Sequence, residues 1–385
     1  MNKLPVVVLG AGIGGLAAAA ALRRVGTEVI VYEQAARFAR VGAGIQQSPN
    51  AMKVLRGLGL EQRIRELAFN PRTSLNRDAY SGDTTNEYPL GKPIESRYGA
   101  PFLALHRADL HAALASIVPE HCVRLGHKLV GIDQDQRAVH LRFANGEQIQ
   151  AHAVIAADGV HSMVREHVAR DAQPPRFTGR VAYRTTFPAR LLKGVDIGES
   201  RTKWWGEDRH IVIYYVTAQR DEVYFVTSQP EKADWMTKES WSAEGDVDEL
   251  RESFARFHPD VRAVLASAPE VHKWGIFERD PMSIWHRGRV TLLGDACHPM
   301  TPYMASGAAM ALEDAAVLSR CVQEVGLANP DQVFAVFEAS RKPRTSQVQA
   351  GSSANTWMRN STNPDWLYGY DAWTAPLTGT QPVAA

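Results

Sequence analysis

Apolar and polar positions change rhythm along this chain, and each rhythm predicts a different kind of element. Leu4 to Leu9 is apolar at nearly every position, which predicts a parallel strand buried on both faces. Glycines follow, then an alanine-rich stretch from about Ile13 to Val25 that predicts a helix closed by Gly26. Thr27 to Tyr32 is a second apolar strand running into Glu33, so the chain begins with a βαβ unit. Pro49 and Asn50 open a short helix that ends near Gly57 or Gly59.

The middle of the chain is patterned for sheet. Val139 to Phe143, the turn Ala144-Asn145-Gly146-Glu147 and Ile149 to Val154 predict a hairpin. Val154 to Ala157 is an apolar strand ending at Asp158-Gly159. Aromatic and β-branched segments at 181–187, 202–207, 210–217 and 222–227 predict antiparallel strands of a second sheet. Within them Tyr214 and Tyr215, and likewise Trp204 and Trp205, must point to opposite faces. Arg289 to Leu293 returns to the buried-strand pattern. Helices follow at about Ser306 to Val325 and Pro330 to Ala350, and the tail from Asn363 is expected to be irregular. The fold class is therefore α/β: a Rossmann-like domain with an interleaved β-rich substrate domain and C-terminal helices. The expected division is 1–70, 100–180 and 275–350 for the nucleotide domain, 70–100 and 180–275 for the substrate domain, and 351–385 for the tail.

Composition narrows the function. A chain of 385 residues suits two closely packed domains. A formal net charge of +1 implies no broad attraction to nucleic acid or to a membrane surface. The three cysteines, Cys122, Cys297 and Cys321, form neither a disulfide framework nor a zinc pattern, so no metal is expected. The apolar run after Lys3 is broken by glycines, which favours a nucleotide turn over a signal peptide. Leu16 to Leu22 is far short of the roughly 20 residues that span a bilayer. A cytoplasmic protein, monomer or homodimer, is the expectation.

Three motifs carry chemistry. Gly10-Ala11-Gly12-Ile13-Gly14-Gly15 lies between a strand and a helix. Gly10 permits the tight turn, Gly12 lets the backbone approach a pyrophosphate, and Gly15 allows close helix–strand packing. The helix N-terminus offers free N–H groups to the phosphates, and Glu33 can accept from both ribose hydroxyls. The second motif is Asp158-Gly159-Val160-His161-Ser162-Met163-Val164-Arg165, where Asp158 is read as a cap for the next helix. The third is Gly294-Asp295-Ala296-Cys297-His298-Pro299, at the carboxyl end of a strand. Asp295 is placed to bind a flavin's ribityl chain, and the amides at the start of the following helix, Gly307 and Ala308, can face the reduced ring. Cys297 is read as a small buried residue and His298 as a loop histidine.

In this order the three motifs resemble the para-hydroxybenzoate hydroxylase superfamily of single-component FAD monooxygenases. The resemblance implies FAD as cofactor, with Gly10, Gly12, Gly14, Gly15, Glu33, Gln34, Gln46, Arg107, Leu129, Asp158, Asp295, Gly307 and Ala308 as its contacts. It implies NADH or NADPH as a transient co-substrate, dioxygen as the oxidant, and a small aromatic substrate hydroxylated through a flavin C4a-hydroperoxide. The segments Arg40 to Ile45, Lys203 to His210, Gly294 to Met300 and Ala354 to Trp357 are similar to the 6-hydroxynicotinate 3-monooxygenase family. That family converts 6-hydroxynicotinate to 2,5-dihydroxypyridine with loss of the carboxylate. The likeness implies His210, Tyr214 and Tyr303 as catalytic residues, and Gln46, Arg201 and Tyr303 as substrate contacts. Gln46, Arg201 and Tyr303 stand where the family has a histidine, a cysteine and a histidine, which leaves the substrate open. Alternatives are another pyridine carboxylate, a hydroxybenzoate, or a flavin oxidase or dehydrogenase. Taken singly, His210 also reads as a solvated turn histidine and Arg201 as a surface charge.

Overall fold

The strand Val6–Leu9 runs near the middle of a six-stranded sheet, with all four side chains buried. From one edge the order is His286–Arg287, Val290–Leu292, Ala153–Ala156, Val6–Leu9, Val29–Tyr32, Val123–Arg124. Every pairing is parallel except that of the His286–Arg287 edge. The structure, a computed structural model, describes residues 4–40, 43–169, 173–232, 244–360 and 362–379. Val41 and Gly42, part of one family-like segment, and the last residues of the tail lie outside these.

Helix Ile13–Arg24 packs on Gly307–Val325, and its small residues allow the close approach. It ends as expected at Gly26, whose φ of 79° lets Thr27 N–H donate to Leu22 O. Leu129–Gln134, Val139–Phe143 and Gln148–Ala151 form a separate three-stranded antiparallel sheet. The two strands expected to meet at Val154 are present, but they part earlier, at Gln148–Ala151 and Ala153–Ala156. The chain turns at His152, held by Pro5 O and Leu327 O, and Ala153–Ala156 joins the parallel sheet.

The eight-stranded sheet takes strands from 73–89 and from 176–278. It is not wholly antiparallel: Arg201–Trp205 pairs parallel with Thr73–Asp78. One face carries Tyr183, Phe187, Trp204, Ile211, Ile213, Val223 and Phe225. It buries them against helices Val247–Ser253 and Pro259–Ser267, an ordinary apolar core. The opposite parity points toward the nucleotide domain and is quite different, as described below. The tail is more ordered than expected. It forms a short helix at Asp365–Tyr368 and buries Leu367, Tyr368 and Ala372 against the main core.

A buried ionic network ties the last two long helices to the third motif. Arg341 pairs with Glu313 (2.8 Å) and Asp314 (2.7 Å), all three fully buried. Arg344 also pairs with Glu313 (2.8 Å), so two acids face two guanidinium groups. Asp314 accepts from His298 Nε2 (2.6 Å) and from Gly294 N–H (3.1 Å). His298 is in a loop, as expected, but it is buried there as a strut under the motif that holds Asp295. The ligand atoms of Cys297, His298 and Asp314 lie within 4.8 Å of one another, but Asp314 already accepts from His298 Nε2 and from the Gly294 amide. Among the described residues no helix is long and apolar enough to cross a membrane. Replacing Arg341 by Met leaves Asp314 and Glu313 short of a partner, and should cost about 3–5 kcal/mol in chemical denaturation. A loss under about 1 kcal/mol would show that the network contributes little.

Candidate active site

The first glycine motif has the geometry of a phosphate cradle. A Cβ on Gly15 would run into the Gly10 carbonyl, and one on Gly10, at φ 94°, into the Ala157 carbonyl. A Cβ on Gly12 would meet no protein atom within 4 Å. Gly12 is thus spared for something outside the chain, and no side chain caps the helix that begins there. Its first-turn N–H groups are free for an anion. Glu33 accepts from Ala11 N–H and Ala35 N–H (both 2.8 Å), one on each oxygen. A carboxylate has about four acceptor sites, so room remains for ribose hydroxyls. Gln34 is exposed beside it and Leu129 is half-buried at the start of its strand.

The second and third motifs meet through Arg165. Its buried guanidinium donates to Val160 O (2.8 Å), Asp295 O (2.9 Å) and Ala296 O (2.9 Å). Burial brings its pKa down to about 10. Asp158 is not the residue flanking the next helix: Met163 is, five residues further on, although the Val164 amide that opens the helix donates to Asp158. One carboxyl oxygen of Asp158 is buried without a partner, and burial raises the pKa against the opposing pull of Ser162 and the Val164 amide. Asp295 sits in the short turn Gly294–Ala296, which Gly294 enters at φ 64°. The side chains of Asp295 and Arg107 are accessible, yet each is surrounded by protein. Burial pushes the Asp295 carboxyl up and the Arg107 guanidinium down. Accessible groups with desolvated charges are what the walls of a deep cleft present. A Cβ on Gly307 would come 3.8 Å from Asp295 Oδ1, so that helix start lies on the same cleft, with Ala308 half-buried behind it. An orphaned buried acceptor, a cradle open at Gly12 and a cleft lined by Asp295 and Arg107 together fit FAD.

Facing this cleft is the second side of the eight-stranded sheet. Strand alternation puts Ser74, Asn76, Arg201, Lys203, Trp205, His210, Val212, Tyr214, Tyr224, Val226 and Ser228 on that side. Arg201 is buried; it donates to Ser74 Oγ (3.0 Å), its Nε has no partner, and burial lowers its pKa. The surface-charge reading of Arg201 therefore fails, as does the solvated-turn reading of His210, which is 5% exposed. Burial first, then Lys203, Arg180, Arg201 and Arg359, hold His210 well below the usual imidazole range. It is a neutral ring at pH 7. His210 packs edge-on against Tyr303 (5.7 Å between centroids), whose hydroxyl meets Ser228 Oγ at 3.0 Å. Burial raises Tyr303 and Tyr214, so both stay protonated donors; Gln46 bonds the Tyr214 hydroxyl and lowers it slightly. Tyr215 and Trp204 take the other face, as alternation requires.

Gln46 and Arg201 line one cleft, partly open to solvent, with Ser74, Phe102, Met304 and Tyr368. Tyr303, His210 and Tyr214 flank the same sheet face but are not among its walls. Sequence reasoning missed Ser74, Lys203, Met358 and Tyr368. The signal for Lys203 was present: it stands two residues from Arg201 on a strand whose other parity is apolar.

Residues 3–352 match the family described as an FAD binding domain. The chain is 44% identical over 384 residues, 100% of each chain, to 6-hydroxynicotinate 3-monooxygenase of Bordetella bronchiseptica. It is 39% identical over 348 residues to 3-amino-4-hydroxybenzoate 2-monooxygenase of Streptomyces cremeus, covering 90% of this chain and 85% of that one. In shape it is similar to Klebsiella pneumoniae HpxO solved with FAD and uric acid: TM-score 0.81, 27% identity, 92% of this chain and 88% of that one. Gly12→Ala should leave the apoprotein within about 1 kcal/mol of the parent, since the added methyl meets no protein atom. The same change should weaken FAD binding about tenfold or more, read by flavin fluorescence, because the methyl occupies the pyrophosphate's approach. Unchanged affinity would place the cofactor elsewhere.

Proposed function

Because the chain belongs to the single-component FAD-dependent aromatic hydroxylases, we propose that its substrate is a small aromatic acid whose carboxylate is held by Arg201. The best-supported substrate is 6-hydroxynicotinate, hydroxylated at C3 with loss of the carboxylate to give 2,5-dihydroxypyridine. Full-length identity of 44% to an enzyme named for that reaction supports it. The observation that carries the reading is a buried guanidinium in a cleft whose walls include no acid. Arg201 is buried, makes no ion pair among the described residues, and lines a cleft partly open to solvent. A buried guanidinium without an anion is costly, so it calls for one from the ligand, and a carboxylate matches its planar fork.

FAD, when bound, supplies reduction by NAD(P)H and delivery of one atom of dioxygen to the ring. The residues supply the rest. Gly10, Gly12, Gly15 and Glu33 would hold the adenosine and pyrophosphate half; Asp158, Asp295 and Arg107 would hold the rest of the cofactor. Arg201 fixes the substrate's orientation through its carboxylate. Tyr214 and Tyr303, both protonated, donate hydrogen bonds to ring substituents. His210, neutral, accepts or donates one without adding charge. Val212, Tyr224, Val226 and Trp274 line the face with apolar surface that excludes water. The nucleotide-domain and substrate-domain division drawn from the sequence is kept as part of this proposal.

Replacing Arg201 by Ala should raise the dissociation constant for 6-hydroxynicotinate about tenfold or more while FAD content stays unchanged. An unchanged constant removes Arg201 from the substrate site. In a panel of hydroxylated pyridine and benzene carboxylates, 6-hydroxynicotinate should stimulate NADH oxidation most and yield 2,5-dihydroxypyridine. Stronger coupling to a hydroxybenzoate would overturn the substrate while leaving the reaction type intact.

A further inference from the structure

The proposed reaction needs an electron-rich ring, and an ionised ring hydroxyl provides it. None of the residues considered so far can take that proton readily. Tyr214 and Tyr303 are protonated donors, Gln46 is no base, and His210 is held in its neutral form by burial first and then by surrounding cations. Lys203 stands among them. It lies on the strand Arg201–Trp205, on the same face as Arg201. Its cross-strand neighbour is Val212, midway between His210 and Tyr214. Only 2% of it is exposed. Its Nζ sits 3.7 Å from the centre of the Trp205 ring and makes no hydrogen bond or ion pair among the described residues.

The charged and titratable groups that face it are all cationic or basic. They are Arg201 on its own strand, His210 on the next strand, Arg180 on Arg176–Pro188 and Arg359 from the tail. The strand on its other side offers neutral Asn76, while Asp78 spends its carboxylate on the Tyr80 and Ser81 amides. Burial first, and then these cations, hold Lys203 well below the usual ammonium range. The Trp205 ring face offsets only part of the cost of a desolvated ammonium. An unpaired amine in this position is stable when neutral, and becomes a stable cation when an anion arrives beside it.

We propose that Lys203 accepts the proton of the substrate's ring hydroxyl and then holds the ring oxyanion, while Arg201 holds the carboxylate. The O–H bond breaks, its electron pair stays on the ring oxygen, and the proton forms the third N–H bond of the Lys203 ammonium. No oxidant or reductant is involved. The substrate is thus bound as a dianion against two cations two residues apart on one strand. This rests on the reading of Arg201 given above.

The test uses the oxidised, FAD-loaded enzyme and 5-fluoro-6-hydroxynicotinate, whose fluorine resonance reports ionisation of the adjacent ring oxygen. Nicotinate, which lacks the hydroxyl, is the control ligand. In the parent enzyme the bound probe should ionise at least about one pH unit below the free probe. Lys203→Met should abolish that shift and weaken probe binding about tenfold, with nicotinate binding changed less than about twofold. Lys203→Arg, which cannot take a proton but keeps a cation, should retain the ionised probe. Its FAD content and nicotinate affinity verify that the site is intact. A Lys203→Met enzyme that binds and ionises the probe as the parent does overturns the inference alone, provided Arg201→Ala still weakens both ligands. If Arg201→Ala weakens neither, or if the parent does not bind the probe, both this inference and the carboxylate reading fall.

Discussion

Arg165 donates at once to Val160 O, Asp295 O and Ala296 O, and the cofactor cleft depends on that clamp. It joins two loops far apart in sequence, each carrying an acid that faces the cleft. A single planar guanidinium reaching three carbonyls fixes both distance and angle, which a lysine could not do. Beneath it a second layer repeats the device. Asp314 takes the Gly294 amide and the His298 ring, and is itself held by Arg341. The position of Asp295 is therefore set from both sides of its short turn by buried charge-assisted bonds. Buried ions of this kind contribute little net stability, and they strongly penalise any other arrangement.

Charge is segregated across the cleft. The nucleotide side presents Glu33, Asp158 and Asp295, with Arg107 among them. The sheet side presents Arg201, Lys203 and neutral His210, while its acids Glu222 and Glu278 pair with Arg40 and Arg176. A net charge of +1 conceals this, because the chain's acids and bases nearly cancel in total. The segregation has a use. Hydroxyl-rich ligand parts suit carboxylate acceptors, while an acid substrate suits unpaired cations. The reacting ring must lie between the two, and the apolar residues of the same sheet face keep water from it.

Much of the nucleotide domain was legible because its signals are local. The glycine motif, the strand before it and the acid after it lie within one βαβ unit, and the Gly26 helix stop needs only a positive φ. The sheet's second face was partly legible. Alternation correctly separated Tyr214 from Tyr215 and Trp204 from Trp205. What failed were features set by distant contacts. The break at His152 comes from Pro5 and Leu327, which no local pattern announces. The parallel pairing of Arg201–Trp205 with Thr73–Asp78 joins segments separated by a whole domain crossing. The burial of His298 was not legible because its partner, Asp314, is on the next long helix. Burial of the tail, which brings Met358 and Tyr368 to the cavity, likewise has no signature in a stretch rich in Pro, Gly and Trp.

The three departures from the family pattern make sense together once they are placed. Gln46 and Arg201 share a cavity, and Tyr303 packs on His210 with its hydroxyl on Ser228. Where the family resemblance has two imidazoles and a thiol, this chain has an amide, a permanent cation and a phenol. The exchange removes groups that titrate near neutrality and adds a fixed positive charge. Burial comes first in holding His210 neutral, and Arg201 adds to the effect of Lys203 and Arg180, so the histidine is weakened as a base. The same field acts on Lys203, but from a much higher starting point, so it carries the amine toward the range where a base is useful. On the roles proposed for Arg201 and Lys203, one substitution would strengthen hold on a carboxylate and shift the proton-accepting role from imidazole to amine.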